Sequence, residues 1–479
     1  MPENDQYPPW VGLVYVFNLI VGTGALTLPA AFQDAGWLFS TVALMVLCFV
    51  SFITVTFVIE SMACANATIQ WRKMQQHKID ESDASQNPSN DSEADNTTEE
   101  TAILTSTNTK HFYNLNKKVE LTEMASIYLS KTGHILFFIS LCIYLFGDLT
   151  IYVAASGKTI INLSCQQSNN TENFTEPCWQ NSDITKFDMY RIYVALFGLC
   201  VGPFTYFNVQ KTKYLQMFTI SIRWLAFAIM LTLAVVRLIK NGQQGHPSLI
   251  NLAEIPALAG SSVYSFMCHH SLPGLIAPIS NKHKLISKIS WDFIVISSFY
   301  LLLSLTGSFA FESIDVLYNL NFIATKDSGV FMRIVGTFLA AFPLFPMIAS
   351  FPIIAITLQG NLKHLFLEPQ SIEGQGFFVK RLLFPSLAIT PPLITALSTH
   401  NLKGLVEITG SYVGVVVQYI IPACLVWKAR KYCLRQFGYI GHRYASPFRH
   451  VGWLVFVVVW SALCIVFVTV DLIINKSIN

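Results

Sequence analysis

The residues able to do chemistry in this chain are few, and they lie inside apolar stretches. Asp148 sits in Leu145-Phe-Gly-Asp148-Leu-Thr150, Arg223 in Ile222-Arg223-Trp224, and a pair of histidines in Phe266-Met-Cys-His269-His270. A charged side chain in lipid costs about 2.5 kcal/mol or more, so each marks either a function or a partner. Asp148 reads in two ways: as a carboxylate that takes up and releases a coupling proton or ion, or as half of a structural ion pair with Arg223. By rough helix register the two differ in height by about 9 Å, at about 1.5 Å per residue, a gap that an arginine nearly closes. His269 likewise reads as a proton carrier or as a hydrogen-bonded packing residue. Asp34, Glu60 and Glu407 fall near the ends of apolar stretches, where snorkelling to the headgroups accounts for them. The GxSxG, HExxH and P-loop patterns are absent from the sequence, as is a protease-like acid pair, so an enzyme is not expected. The ten cysteines have no metal-type spacing, and the net charge of +3 offers no argument for a nucleic-acid partner. No cofactor or metal is expected.

A second kind of chemistry lies in the backbone. Asn18-Leu-Ile-Val-Gly22-Thr23-Gly24-Ala-Leu-Thr-Leu-Pro29 is a poor helix, because each glycine weakens it by about 1 kcal/mol relative to alanine. A helix that opens inside a membrane frees N–H and C=O groups, and these must face protein or a polar cavity. The half-helix beyond the opening aims its positive dipole end and free N–H groups at an anion such as a carboxylate. Asn18, one turn earlier, adds an amide oxygen. Ser262-Val-Tyr-Ser265-Phe-Met-Cys268-His269-His270-Ser-Leu-Pro273-Gly274, far along the chain, is a second interruption of the same kind. Broken helices at corresponding places in two halves of a chain point to a transporter's midplane site.

These residues must be positioned by membrane helices. The chain of 479 residues is 53% hydrophobic and only 12% charged, against about 25% charged in soluble proteins, so it is read as an all-α polytopic membrane protein. Eleven apolar segments of about 20 residues or more lie near 11–32, 37–62, 134–157, 189–208, 215–238, 252–279, 289–311, 330–357, 381–399, 404–427 and 451–474. With the N-terminus in the cytosol, only Lys158, Lys186, Arg191, Arg237, Lys240, Lys326, Arg333, Lys403 and Lys476 fall on the exoplasmic side. The positive-inside rule therefore selects N-in and C-out. The expected organisation is a cytosolic N-terminus at 1–10, helices 1–2 over 11–65, a disordered cytosolic loop at 66–118, helices 3–5 over 119–238, helices 6–10 over 252–427, a basic cytosolic loop at 428–450, and helix 11 with an exoplasmic C-terminus over 451–479.

The exoplasmic loop 158–188 carries glycosylation sequons at Asn162, Asn169 and Asn173. It also holds Cys165 and Cys178, which on the oxidising face are expected to form a disulfide. The sequons at Asn66, Asn90 and Asn96 fall in the cytosolic loop and are expected to stay unmodified. Within that loop Glu99-Glu-Thr-Ala-Ile-Leu104 has the form of an acidic dileucine signal for adaptor proteins, which leans the location toward endolysosomal membrane over plasma membrane.

Asn18-Leu-Ile-Val-Gly-Thr-Gly-Ala-Leu resembles the first-helix motif of the amino acid/auxin permease family, and Phe266-Met-Cys268-His269 resembles that family's sixth-helix motif. Across nearly the whole chain, through Gly202-Pro-Phe-Thr-Tyr-Phe-Asn, Tyr264-Ser-Phe-Met-Cys-His-His-Ser-Leu-Pro273 and Phe351-Pro-Ile-Ile-Ala355, it is similar to the transmembrane protein 104 branch of those permeases. The resemblance implies a leucine-transporter-like fold of two inverted five-helix repeats plus an eleventh helix, and a small-molecule substrate, an amino acid or similar zwitterion. It implies that Asn18 meets substrate or ion, that Gly22, Thr23 and Gly24 offer N–H groups to a carboxylate, and that Ser265, Phe266, Cys268 and His269 face the substrate. The coupling ion is H⁺ or Na⁺, with Asn18, Asp148, His269 and Ser350 as candidates. Ser350, in Ala349-Ser350-Phe351-Pro352, is the one hydroxyl at the place where sodium-using relatives carry a threonine-type hydroxyl. A sensor or receptor that binds the same ligand without moving it is the alternative function.

Overall fold

The computed structural model describes residues 6–22, 24–84, 112–165, 174–179, 183–206, 213–323, 329–366, 382–438 and 441–478. Statements below concern those residues; Thr23 and the Glu99–Leu104 string lie outside them. The first apolar segment is two helices, α1 (Pro9–Ile20) and α2 (Gly24–Ala35), bent by 52° at the glycine break. Next come α3 (Trp37–Ala84), a short α4 (Leu121–Tyr128), α5 (Lys131–Ser164), α6 (Lys186–Val201) with a 3-10 turn at Gly202–Tyr206, and α7 (Lys213–Asn241). The sixth segment is also split, into α8 (Ile255–Ser265) and α9 (Leu272–Ile276). The rest are α10 (Leu285–Ala310), α11 (Val330–Ala341), α12 (Leu344–Phe366), α13 (Phe384–Ser398), α14 (Leu402–Ile408), α15 (Ile421–Phe437) and α16 (Val451–Ile478).

Eight continuous stretches are long and apolar enough to cross a membrane. With the bent pair α1–α2, the split α8–α9 and the shorter apolar helix α13, they account for all eleven apolar segments. Side chains such as Leu199, Ile239 and Phe331 point outward with most of their surface exposed, as a lipid-facing belt requires.

Close helix contact rests on small residues, since lipid is as apolar as leucine and offers no hydrophobic drive between helices. Between α14 and α15 the chain is π-helical over Thr409–Gly414 and Val416–Ile420. That widened stretch lies against α8, and a Cβ on Gly410 would fall 2.3 Å from the carbonyl oxygen of Gly260, so only glycine permits the approach. A second apolar cluster, including Val50, Phe57, Val263, Val415 and Val457, seats α16 against α3 and the π-helical stretch.

Two expectations need correction. The two ends of the segment expected as a disordered loop at 66–118 are ordered: α3 continues to Ala84, and Tyr113 and Leu115, with Val119 just beyond, are buried. The fall in hydropathy near Arg72 marks the edge of the membrane, whereas Gln, Lys and Arg are good helix formers and let the helix run on. Asn66 is therefore a buried helical residue whose Nδ2 donates to the carbonyls of Asn114 and Lys117 at 3.0 and 3.1 Å. Glu60 does not snorkel. It is fully buried, accepts two bonds from Arg430 at 2.8 and 2.7 Å, and accepts a third from the backbone N–H of Ser446 at 2.9 Å.

Candidate functional site at the two helix breaks

The end of α1 leaves carbonyls that no helical N–H can reach. Two side chains from other helices serve them. Arg223 of α7 donates from Nη1 to the carbonyl of Asn18 at 2.5 Å and to that of Val21 at 2.9 Å, with the Asn18 side-chain oxygen at 3.4 Å. Tyr300 of α10 lies with its hydroxyl 2.9 Å from the carbonyl of Ile20 and also 2.9 Å from that of Ser265, the last residue of α8. The two breaks thus meet. A Cβ on Gly24 would stand 2.6 Å from the Cα of Ser265, so the second glycine is what lets α2 touch α8. Gly22 is different: the nearest atoms to a Cβ there are 3.9 Å away, and the residue lines a cavity.

That cavity has a volume of about 20 Å³ and is walled by Gly22, Leu26, Tyr152, Arg223, Phe227 and Met347, among others. A space of this size holds about one water molecule, so an amino acid enters only if the walls move apart. Ser265, Phe266, Cys268, His269 and Ser350 lie outside its lining. Phe266 is fully buried, packed edge-on against Tyr300 with ring centroids 5.4 Å apart. Cys268 is also fully buried. Ser350 lies on α12, about one turn beyond Met347 of the wall.

The structure separates the two residues that one of the two readings paired. Asp148 accepts a 2.6 Å hydrogen bond from the Tyr264 hydroxyl, while Arg223 is committed to the α1 carbonyls, and no ion pair joins the two among the described residues. His269 meets Thr54 of α3, with Nε2 and Oγ1 2.8 Å apart. The Thr54 hydroxyl also lies 3.0 Å from the carbonyl of Ser51 in its own helix. His269 Nδ1 is buried, and the described residues provide no partner for it. The ring of His270 lies 5.5 Å from that of Tyr144, one turn before Asp148.

Sequence reasoning missed several groups. Asp292, inside α10, is buried with Oδ2 unpartnered among the described residues, and the rule that singled out Asp148 would have found it. Tyr264 and Tyr300 carry no such signal, since a membrane tyrosine is unremarkable until its hydroxyl is seen on a partner. On the face opposite the N-terminus, Lys403 bridges Asp34 at the end of α2 and Glu254 before α8, at 2.9 and 3.1 Å. Cys165 and Cys178 are joined by a disulfide. Asn162 falls in the last turn of α5 with its Nδ2 buried, and Asn169 and Asn173 lie outside the described residues.

The chain is 43% identical to a transmembrane protein 104 homolog of Drosophila melanogaster, covering 97% of each protein. The chain belongs to the transmembrane protein 104 family. It is also 42% identical to human transmembrane protein 104, with 99% of this chain and 98% of that one covered, and 30% identical to a transmembrane protein 104 homolog from Dictyostelium discoideum over a similar span. The family model described as "Transmembrane amino acid transporter protein" matches residues 7–74, which include both halves of the first broken helix. Among solved structures, MhsT in complex with L-phenylalanine aligns with a TM-score of 0.56 at 11% identity, covering 97% of this chain and 99% of that one. This member of the transmembrane protein 104 family thus has the leucine-transporter-like fold, in which α1–α2 and α8–α9 are the broken first helices of the two repeats.

Proposed function

We propose that this protein is a secondary active transporter of amino acids or related small zwitterions, working by alternating access around α1–α2 and α8–α9. The observation that carries the reading is that both helix breaks meet at one place, tied by Tyr300, beside a cavity that contains Gly22 and Arg223. Half-helix ends converging at the midplane are what a transporter uses to hold a charged solute away from lipid. The transmembrane amino acid transporter family match over the first helix supports the substrate class. The driving ion in this reading is H⁺ or Na⁺. The basic residues support a cytosolic N-terminus and an exoplasmic C-terminus, and the acidic dileucine string supports an endolysosomal membrane with adaptor binding.

The test is uptake of a labelled amino acid mixture into liposomes holding the purified protein, with sodium and proton gradients imposed separately. Gly22→Val, which fills the cavity wall, serves as control. Gradient-driven accumulation by the wild type that the control lacks supports transport. If no gradient gives flux, yet amino acids raise the melting temperature by occupying the folded state, the protein is a sensor.

A further inference from the structure

We propose that the guanidinium of Arg223 is the built-in cation of the first helix break, standing on the carbonyls that a coupling sodium ion would need, so that the site works without sodium. The C-terminal end of a half-helix carries about half a negative charge, and such ends together with unwound carbonyls are where transporters hold Na⁺. Here the carbonyls of Asn18 and Val21 take Nη1 of Arg223 at 2.5 and 2.9 Å, and that of Ile20 takes the Tyr300 hydroxyl at 2.9 Å.

Asp148 is bonded to Tyr264, and among the described residues no carboxylate pairs with the guanidinium. Its charge is therefore set against the carbonyl dipoles of the break, as a bound metal ion's would be. A planar guanidinium that donates in several directions suits this place. The inference rests on the transporter reading only for what it says about uptake. Sodium binding can be read with no substrate present.

The experiment is thermal unfolding of the purified full-length protein, followed by tryptophan fluorescence, in sodium chloride and in N-methyl-D-glucamine chloride of equal ionic strength. The wild type and Arg223→Lys are expected to melt at the same temperature in both salts. Arg223→Gln, which removes the charge from the Asn18 and Val21 carbonyls, is expected to melt several degrees lower than either. A saturable, sodium-specific rise of several degrees in the wild type overturns the proposal, as does an Arg223→Gln protein as stable as the wild type. If Arg223→Gln does not fold, the wild-type sodium titration decides alone. Loss of the transport reading would leave these melting temperatures unchanged, so the two ideas fail separately.

Discussion

The hydroxyl of Tyr300 lies 2.9 Å from the carbonyl of Ser265, and at the same distance from that of Ile20. One proton is shared by two equidistant acceptors, the arrangement of a three-centre hydrogen bond. The ends of α1 and α8 are thereby joined through a third helix, α10. Tyr300→Phe leaves both carbonyls without this donor. The expected cost is about 1–3 kcal/mol of stability, with uptake falling in parallel. A melting temperature equal to the wild type's would show that the breaks do not depend on this hydroxyl.

Asp148 and Tyr264 form the buried carboxyl–phenol pair of α5 and α8. Asp148→Asn keeps an oxygen to accept from Tyr264 but cannot ionise. It is expected to fold in normal yield and to flatten the pH dependence of uptake, measured from pH 5 to 8 at fixed gradient. Uptake with an unaltered pH profile would remove Asp148 from coupling.

The two glycines of the first break should respond differently to the same methyl group. Gly24→Ala presses a Cβ onto the Ser265 backbone and is expected to destabilise by about 1–3 kcal/mol. Gly22→Ala meets nothing closer than 3.9 Å, so it should leave the melting temperature near that of the wild type while lowering uptake by narrowing the cavity. Equal melting temperatures for the two variants would contradict the close approach at Gly24.

Lys403 clasps Asp34 and Glu254 where α2 and α8 reach the face opposite the N-terminus. Each pair is partly exposed and worth about 1 kcal/mol at most, small enough to be made and broken in a transport cycle. Lys403→Met should favour the state open on that face. A cysteine placed at Leu26, in a background lacking the exposed Cys200 and Cys424, is expected to label several-fold faster in that variant.

His442, in the segment between α15 and α16, is stacked on Tyr113 with ring centroids 4.3 Å apart, and its Nδ1 accepts from the Tyr444 N–H at 3.2 Å. Burial pushes its imidazole down to about 4, with Glu60 pulling up and Arg449 and Arg430 pushing down. The unfolded chain, titrating near pH 6.5, then binds more protons than the folded one between about pH 6.5 and 4. Stability is therefore full above pH 6.5 and falls as pH drops through that window, by at most about 1.4 kcal/mol per unit. His442→Gln should flatten this part of the profile of melting temperature against pH, and an unchanged profile would place the lost stability elsewhere.

How much of the site could be read in advance differs from residue to residue. Gly22 and Gly24 announced the first break because a Gly-x-Gly inside an apolar run is a poor helix whatever surrounds it. Their separate tasks, one facing a cavity and one touching Ser265, were not legible, since both depend on where α8 lies. Arg223 and Asp148 were visible as intramembrane charges, yet pairing them followed from rough height alone. Height is one coordinate of three, and rotation about the helix axes sends Arg223 to α1 and Asp148 to α8 instead. Glu60 was misread because its position near the end of an apolar run says nothing about the Arg430 and Ser446 groups that surround it.

By itself the sequence determined the membrane class, the eleven spans and the places where two of them break. Each of these follows from local composition, through the length of an apolar run or the weakness of glycine in a helix. Only the tertiary structure decided which donors serve the broken ends. Beyond the local Gly22 N–H, which reaches the Ile20 carbonyl at 2.8 Å, the carbonyls of Asn18, Ile20 and Val21 take donors from Arg223 and Tyr300, more than 200 positions away in the chain. No local rule brings such residues together, because the packing of α7 and α10 against the first break does so.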